Sequence, residues 1–238
     1  MARAAAPALR ERRRRPMQVN LLYRPSQALA QCWLDPGERV FAESGALVGM
    51  STNVRVETQS GGIMSGLKRM LAGESFYRNA FAAQGGRGEV LFATPLSGDM
   101  AVLEVGDRQW CVQSSAYVAS SPDVEVRTRS SGLRGFFSGA GLFALETAGQ
   151  GQMIIGAFGA LEELEVRGHV VIDTGHIAAW ESTLACRIGK NTSTWLGTWL
   201  SGEGLVCHVE GNGSLWVQSR NAGRYGAAIG ARLAPRQP

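Results

Sequence analysis

The chain has 238 residues, 45% of them hydrophobic and 18% charged, with 31 glycines and a formal net charge of +4. This composition excludes a disordered chain, and it excludes a helix bundle, because each glycine in a helix interior costs about 1 kcal/mol relative to alanine. The positive charge is local: Arg3, Arg10, Arg12, Arg13, Arg14 and Arg15 against Glu11 give +5 in residues 1–16, so the other 222 residues carry −1 and lack the basic face that phosphate tracking requires.

Residues 1–16 are Ala, Arg and Pro without apolar periodicity and are expected to be a disordered tail. A start assigned too early, with Met17 opening the first ordered pattern, is preferred over an Arg-rich targeting segment, and both over a nucleic-acid arm. Residues 17–220 are expected to form a single β domain, and residues 221–238 a C-terminal tail.

From Met17 the pattern is one of short strands. MQVNLLY and ALAQCWL are closed by the proline turns at Pro25 and Pro36, and NVRVET (53–58) alternates as a half-buried strand does. DVEVRT (123–128) and TLACRI (183–188) are its counterparts further along. Between and after these lies a segment written three times: SGLKRMLAGESF at 65–76, SGLRGFFSGAGL at 131–142 and STWLGTWLSGEGL at 193–205. Each leads into an apolar run, a Gly-x-Gly pair (Gly86 and Gly88, Gly149 and Gly151, Gly211 and Gly213) and a second run, EVLFAT, QMIIGA or SLWVQS.

In register, the three copies share the anchors Gly73, Gly139 and Gly202, and Glu74 and Glu203 stand in one slot that Ala140 occupies in the middle copy. The expectation is an all-β fold of three pseudo-symmetric internal repeats, because a lone hairpin is marginal in water and must pack on its neighbours. The Gly-x-Gly pairs are read as hairpin turns using positive φ. The second runs, lacking polar alternation, are read as strands buried on both faces. The strands before residue 43 are expected to complete the third unit and close a ring. One short helical turn or loop is the single exception, at residues 61–73, where Ile63, Leu67, Met70 and Leu71 share a face.

Gly61-Gly62, Leu67-Lys68-Arg69, Gly73-Glu74-Ser75-Phe76, Ser201-Gly202-Glu203-Gly204-Leu205 and Val217-Gln218-Ser219-Arg220 together resemble the altered inheritance of mitochondria protein 24 family, which is widespread in bacteria. The resemblance spans residues 17–220. It implies a double-stranded β-helix or β-sandwich of the tryptophan RNA-binding attenuator kind; the fungal members are linked to mitochondrial organisation and biogenesis, and the bacterial members supply no activity to carry over.

The residues themselves supply no catalytic site. His169, His176 and His208 lack the spacing of a metal set, and they read as surface or strand-edge residues. Cys32, Cys111, Cys186 and Cys207 form no ligand motif and read as small buried thiols in a cytoplasmic protein. Neither a nucleophile elbow nor a phosphate loop occurs, so no cofactor is expected. No apolar run nears the roughly 20 residues that span a bilayer.

Glu74 and Glu203 are read as accepting turn amides, ahead of the alternative that they mark a shared ligand rim. Met64, Leu67, Lys68, Arg69, Phe76 and Tyr77 form a mixed apolar and basic strip on a glycine-hinged segment, whose aromatics either plug the end of the unit, the preferred reading, or contact a partner or membrane surface. The leading expectation is therefore a non-enzymatic binding or scaffolding protein that self-associates or touches a membrane surface. Its rivals are a small-molecule or metal-binding protein or enzyme with a site at the centre of the three units, and an RNA binder by fold analogy, which the near-neutral body disfavours.

Overall fold

The computed structural model describes residues 16–58, 78–129, 143–189 and 205–233. They form antiparallel β-sheets, two short 3₁₀ turns and one α-helix. The first set of strands is β1 (Gln18–Leu22), β2 (Leu29–Leu34), β3 (Arg39–Glu43), β4 (Leu47–Met50), β5 (Val54–Thr58), β6 (Arg78–Ala83) and β7 (Gly88–Phe92). A second set follows: β8 (Met100–Val105), β9 (Trp110–Gln113), β10 (Tyr117–Ser120), β11 (Val124–Thr128), β12 (Ala144–Gly149) and β13 (Gly151–Gly156). The third contains β14 (Leu161–Asp173), β15 (Ile177–Glu181), β16 (Ala185–Gly189) and β17 (Val206–Gln218), and the helix α1 (Ala222–Gly230) ends the described chain.

Four antiparallel pairings recur in each set. β5 pairs β6 as β11 pairs β12 and β16 pairs the first half of β17. β3 pairs β6, β9 pairs β12, and the second half of β14 pairs the first half of β17. β2 pairs β7 as β8 pairs β13 and the first half of β14 pairs the second half of β17. β4, β10 and β15 pair β7, β13 and β17, each with a register shift near its start, between Leu47 and Gly49, Tyr117 and Ala119, and Ile177 and Ala179. Such a bulge bends its strand and raises its twist. Two further pairings join the sets: β10 lies on β3, and β15 on β9.

The Gly-x-Gly pairs do not turn hairpins. β6 and β7 on either side of Gly86 belong to different sheets, as do β12 and β13 on either side of Gly149 and Gly151, whereas Gly211 and Gly213 lie inside the continuous β17. What the first two pairs allow is passage from one sheet to another, whereas the third lies where β17 changes partner from β16 to β15. Gly149 and Gly151 have φ of 84° and 142°, and a Cβ on Gly149 would lie 2.2 Å from the Asp123 carbonyl oxygen. A side chain there would be both strained and crowded. A strand that changes sheets keeps its apolar pattern, so sequence alone does not distinguish it from a hairpin arm.

The ring is also corrected. β1 and β2 pair within the first set, in the order β1-β2-β7-β4, so they do not complete the third. Among the described residues, β4 and the second half of β14 are each left with an unpaired side.

The core forms three clusters. Phe81, Phe92, Val40 and Leu34 anchor the first, with Phe81 and Phe92 edge to face at 5.2 Å. Trp110, Tyr117, Leu145, Met153 and Ile155 anchor the second, and Trp180, Ile177, Cys207, Val209 and Leu215 the third. Each large side chain so buried stabilises the fold by about 1.5–3 kcal/mol. Met153, Ile154 and Ile155 of β13 are fully buried, as two-face burial requires, but β7 alternates and Trp216 and Val217 of β17 are only half-buried. Burial on both faces is therefore a property of the middle run alone, because only that set has a neighbour on each side.

The C-terminal helix has no counterpart in the sequence reading, which ends its elements near Arg220. Asn221 caps it by accepting from the Arg224 N–H at 3.1 Å. Tyr225 packs edge to face on Phe158 at 5.2 Å, and Arg224 reaches the Asp173 carboxylate at 3.1 Å. With three glycines in or ending its nine residues, the helix depends on those contacts rather than on propensity.

Candidate functional site

Three places gather polar or reactive groups among the described residues. The first lies where β3, β6 and β10 meet, around Arg78 at the start of β6. Glu43 and Arg78 are cross-strand partners there. The Tyr117 hydroxyl, fully buried, lies 3.2 Å from the Phe41 carbonyl oxygen, to which it donates, and 2.9 Å from the Ser120 hydroxyl. The Arg78 guanidinium stands over the Phe41 ring at 5.2 Å, and its Nη1 is buried without a hydrogen-bond partner.

Burial pushes the Glu43 carboxyl up to about 7, and burial likewise raises the Tyr117 phenol, against the nearby Arg78 charge. A carboxyl near neutrality can exchange a proton at physiological pH. The Ser120 hydroxyl is held by Tyr117 and is no free nucleophile.

A stability effect follows from the Glu43 shift. The folded protein holds this proton to about pH 7, whereas an unfolded glutamate releases it near pH 4.3, so ionisation opposes folding increasingly as pH rises between those values. Glu43→Gln is expected to match the wild type at pH 4.5 and to exceed it by roughly 1–2 kcal/mol at pH 8. Urea unfolding at the two pH values measures this, and an equal difference at both would contradict it.

The second place is an open cleft of about 460 Å³ lined by Arg108, Glu163, Glu165, Glu181, Gly213 and Ser214. Glu181 is nearly buried and accepts from Arg108 Nη1 at 3.2 Å and, at 3.4 Å, from the Thr183 hydroxyl. Three carboxylates face one guanidinium, so the cleft suits a cation better than an anion. Among the described residues no group of three or more His, Cys, Asp or Glu stands close enough to hold a metal.

The third lies on the β14–β17 ladder. His169 and His208 stack with their rings almost parallel, Nε2 to Nδ1 at 3.1 Å. On the opposite face of β17, Cys207 is fully buried with its sulfur 2.7 Å from that of Cys186. The neighbouring thiol first, and then burial, push Cys186 up, which disfavours its thiolate and hence its nucleophilicity. Adjacent residues of a strand face opposite ways, so the Cys207 sulfur and the His208 ring lie on opposite faces of β17. His176 instead meets the Gln218 carbonyl oxygen through Nδ1 at 2.8 Å.

The sequence could not bring His169 to His208 or Cys186 to Cys207, because both contacts follow from the β14–β17–β16 register. Met64, Leu67, Lys68, Arg69, Phe76, Tyr77, Gly73, Glu74, Gly139, Gly202 and Glu203 lie outside the described residues. The glycines the structure does describe, Gly86, Gly88, Gly149, Gly151, Gly211 and Gly213, all lie where strands change sheet or pairing partner.

The family model described as Mitochondrial biogenesis AIM24 matches residues 19–220. The chain belongs to this family. It is also similar to an uncharacterized protein of Streptococcus pyogenes serotype M6, 27% identical over 214 residues, 84% of this chain and 85% of that protein. A crystal structure of a Streptococcus pyogenes protein superimposes with a TM-score of 0.78 at 24% identity, covering 91% of this chain and 100% of that one. That likeness shows the all-β fold. Among the described residues no helix is long and apolar enough to cross a membrane.

Proposed function

We propose that this AIM24-family chain is a non-enzymatic, cytoplasmic binding and scaffolding module that touches an anionic membrane surface peripherally. One observation carries the reading: residues 59–77, 130–142 and 190–204, which hold the thrice-written segment, are each inserted at the same junction. They connect β5 to β6, β11 to β12 and β16 to β17, strands that pair antiparallel in the same way each time. Three related segments held at equivalent places favour repeated contact with one surface, where individually weak contacts multiply.

The chemistry of the first segment supports this partner. Met64, Leu67, Phe76 and Tyr77 are apolar or amphipathic, and Lys68 and Arg69 add the charge that anionic headgroups attract. The second segment brings Arg134, Phe136 and Phe137, the third Trp195 and Trp199.

Flotation with phosphatidylcholine vesicles, with and without phosphatidylserine, tests the proposal. The wild type is expected to float with the anionic vesicles only. Reversing both charges, Lys68→Glu with Arg69→Glu, is expected to weaken binding at least tenfold, at about 1 kcal/mol per basic residue near the surface, without moving the melting temperature. Equal flotation of wild type and double variant, or none by the wild type, rejects the membrane reading.

A further inference from the structure

The unpaired sides of β4 and of the second half of β14 are complementary, and we propose that they join head to tail between two copies of this chain. The rule for such a joint is already written twice within the fold. β10 lies on β3 with Ala119 opposite Ala42 and Ser120 opposite Phe41, and β15 lies on β9 with Ala179 opposite Val112 and Trp180 opposite Cys111. In each case the strand with the bulge pairs with a strand of the preceding set. β4 is the bulged strand that has no preceding set, and residues 168–173 of β14 are the receiving strand that has no following one.

The register of the missing joint can be read from the other pairings. Gly49 occupies the place of Ala119 and Ala179, because all three follow the bulge and face Leu91, Ile154 and Trp216. Ile172 occupies the place of Ala42 and Val112, because these three face Cys207, Asn79 and Leu145, which in turn face Ile188, Thr58 and Thr128. The joint therefore sets Gly49 opposite Ile172 and Met50 opposite Val171, antiparallel like the two inner joints.

Exposure separates the end strands from their inner equivalents. Met50 is 40% exposed and Val171 43%, whereas Ser120 and Trp180 at the first position are fully buried and Phe41 and Cys111 at the second nearly so. Leu47 and Val48 are exposed too, against buried Tyr117, Val118, Ile177 and Ala178. β4, reading Leu-Val-Gly-Met, also carries no charge and no proline, the devices that protect an edge strand from pairing with another chain. A second copy supplies the surface that both ends lack. The contact uses different faces of the two partners, so it propagates until a ring closes or a filament forms.

Two single variants, Met50→Cys and Val171→Cys, test this directly. Directly opposed residues have Cα atoms about 4.5–5.5 Å apart, within the range a disulfide spans. Mild oxidation of an equimolar mixture of the two variants is expected to give a covalent dimer containing one of each, while neither variant cross-links alone. A dimer formed by Met50→Cys alone, no dimer from the mixture, or an intramolecular disulfide in the double variant would overturn the proposal. Light scattering gives a second reading: the wild type is expected to be oligomeric and Val171→Lys monomeric with an unchanged melting temperature, and a monomeric wild type would also overturn it. The Met50 and Val171 variants leave Lys68 and Arg69 unchanged, so vesicle binding and self-association can fail separately.

Discussion

Replacing Gly98 by alanine is expected to destabilise the protein by about 3 kcal/mol, a lowering of the melting temperature by roughly 10 °C for a chain of this size. The cause is a meeting of backbone with backbone. Gly98 forms a parallel bridge with Gly159 in the connection between β13 and β14. A Cβ at Gly98 would lie 1.9 Å from the Ala157 carbonyl oxygen and 2.8 Å from that of Gly159. No rotamer change relieves such a contact, because neither neighbour is a side chain.

The bonds that hold the junction oppose any shift. The Asp99 N–H donates to the Gly159 carbonyl at 2.9 Å, the Ala157 N–H to the Asp99 carbonyl at 3.0 Å, and the Ala28 N–H to the Gly98 carbonyl at 2.9 Å. Gly37→Ala supplies the comparison: its φ is 83°, but nothing lies within 4 Å of the added carbon, so conformational strain alone remains, worth about 1 kcal/mol. Thermal melts of both variants measure the difference. Equal losses would mean that the Gly98 junction relaxes freely.

The neighbouring Asp99 is expected to show the largest effect of any charged residue. Its side chain is almost completely buried and accepts from Arg24 Nε at 2.7 Å, Arg24 Nη2 at 2.9 Å and the Met100 N–H at 2.8 Å. Burial by itself raises the carboxyl, but the Arg24 hydrogen bonds, the Met100 amide and the Arg24 charge outweigh it and hold the group below its ordinary value. Asp99→Ala leaves a buried amide unpaired. Arg24, about half exposed, regains water, which keeps the cost near 2–3 kcal/mol rather than higher.

The depressed carboxyl also fixes the direction of the acid response. Its contribution is complete above the unfolded value near pH 3.9 and is lost as pH falls through the lower folded value. Asp99→Asn is expected to be less stable than the wild type at pH 7 and to converge on it below pH 4. Urea unfolding from pH 7 to pH 3 measures this, and parallel curves would show that the pair contributes nothing dependent on ionisation.

The all-β class was legible because alternation and glycine content are local. NVRVET and DVEVRT became β5 and β11, and MAVLEV became β8 in full. Sheet membership was not legible, since a strand that crosses between sheets at Gly149 carries the same residues as one that folds back. The short strands β3, β4 and β9 escaped notice because they have four or five residues each and little alternation. At the candidate sites, Glu43 looks like an ordinary surface glutamate until Arg78 and Tyr117 are brought to it from residues far along the chain. The contact strip at Met64 to Tyr77 rests on residue chemistry and on where its flanking strands pair.

The dependence of β9 on β15 sets an order in time. Trp110, Cys111, Val112 and Gln113 are all buried, with β12 on one side and β15 on the other. Synthesis delivers β12 soon after β9, but Ile177–Glu181 emerges more than sixty residues later. A nascent chain that has completed two sets thus presents a bare, apolar strand edge for several seconds, at about 5–20 residues per second.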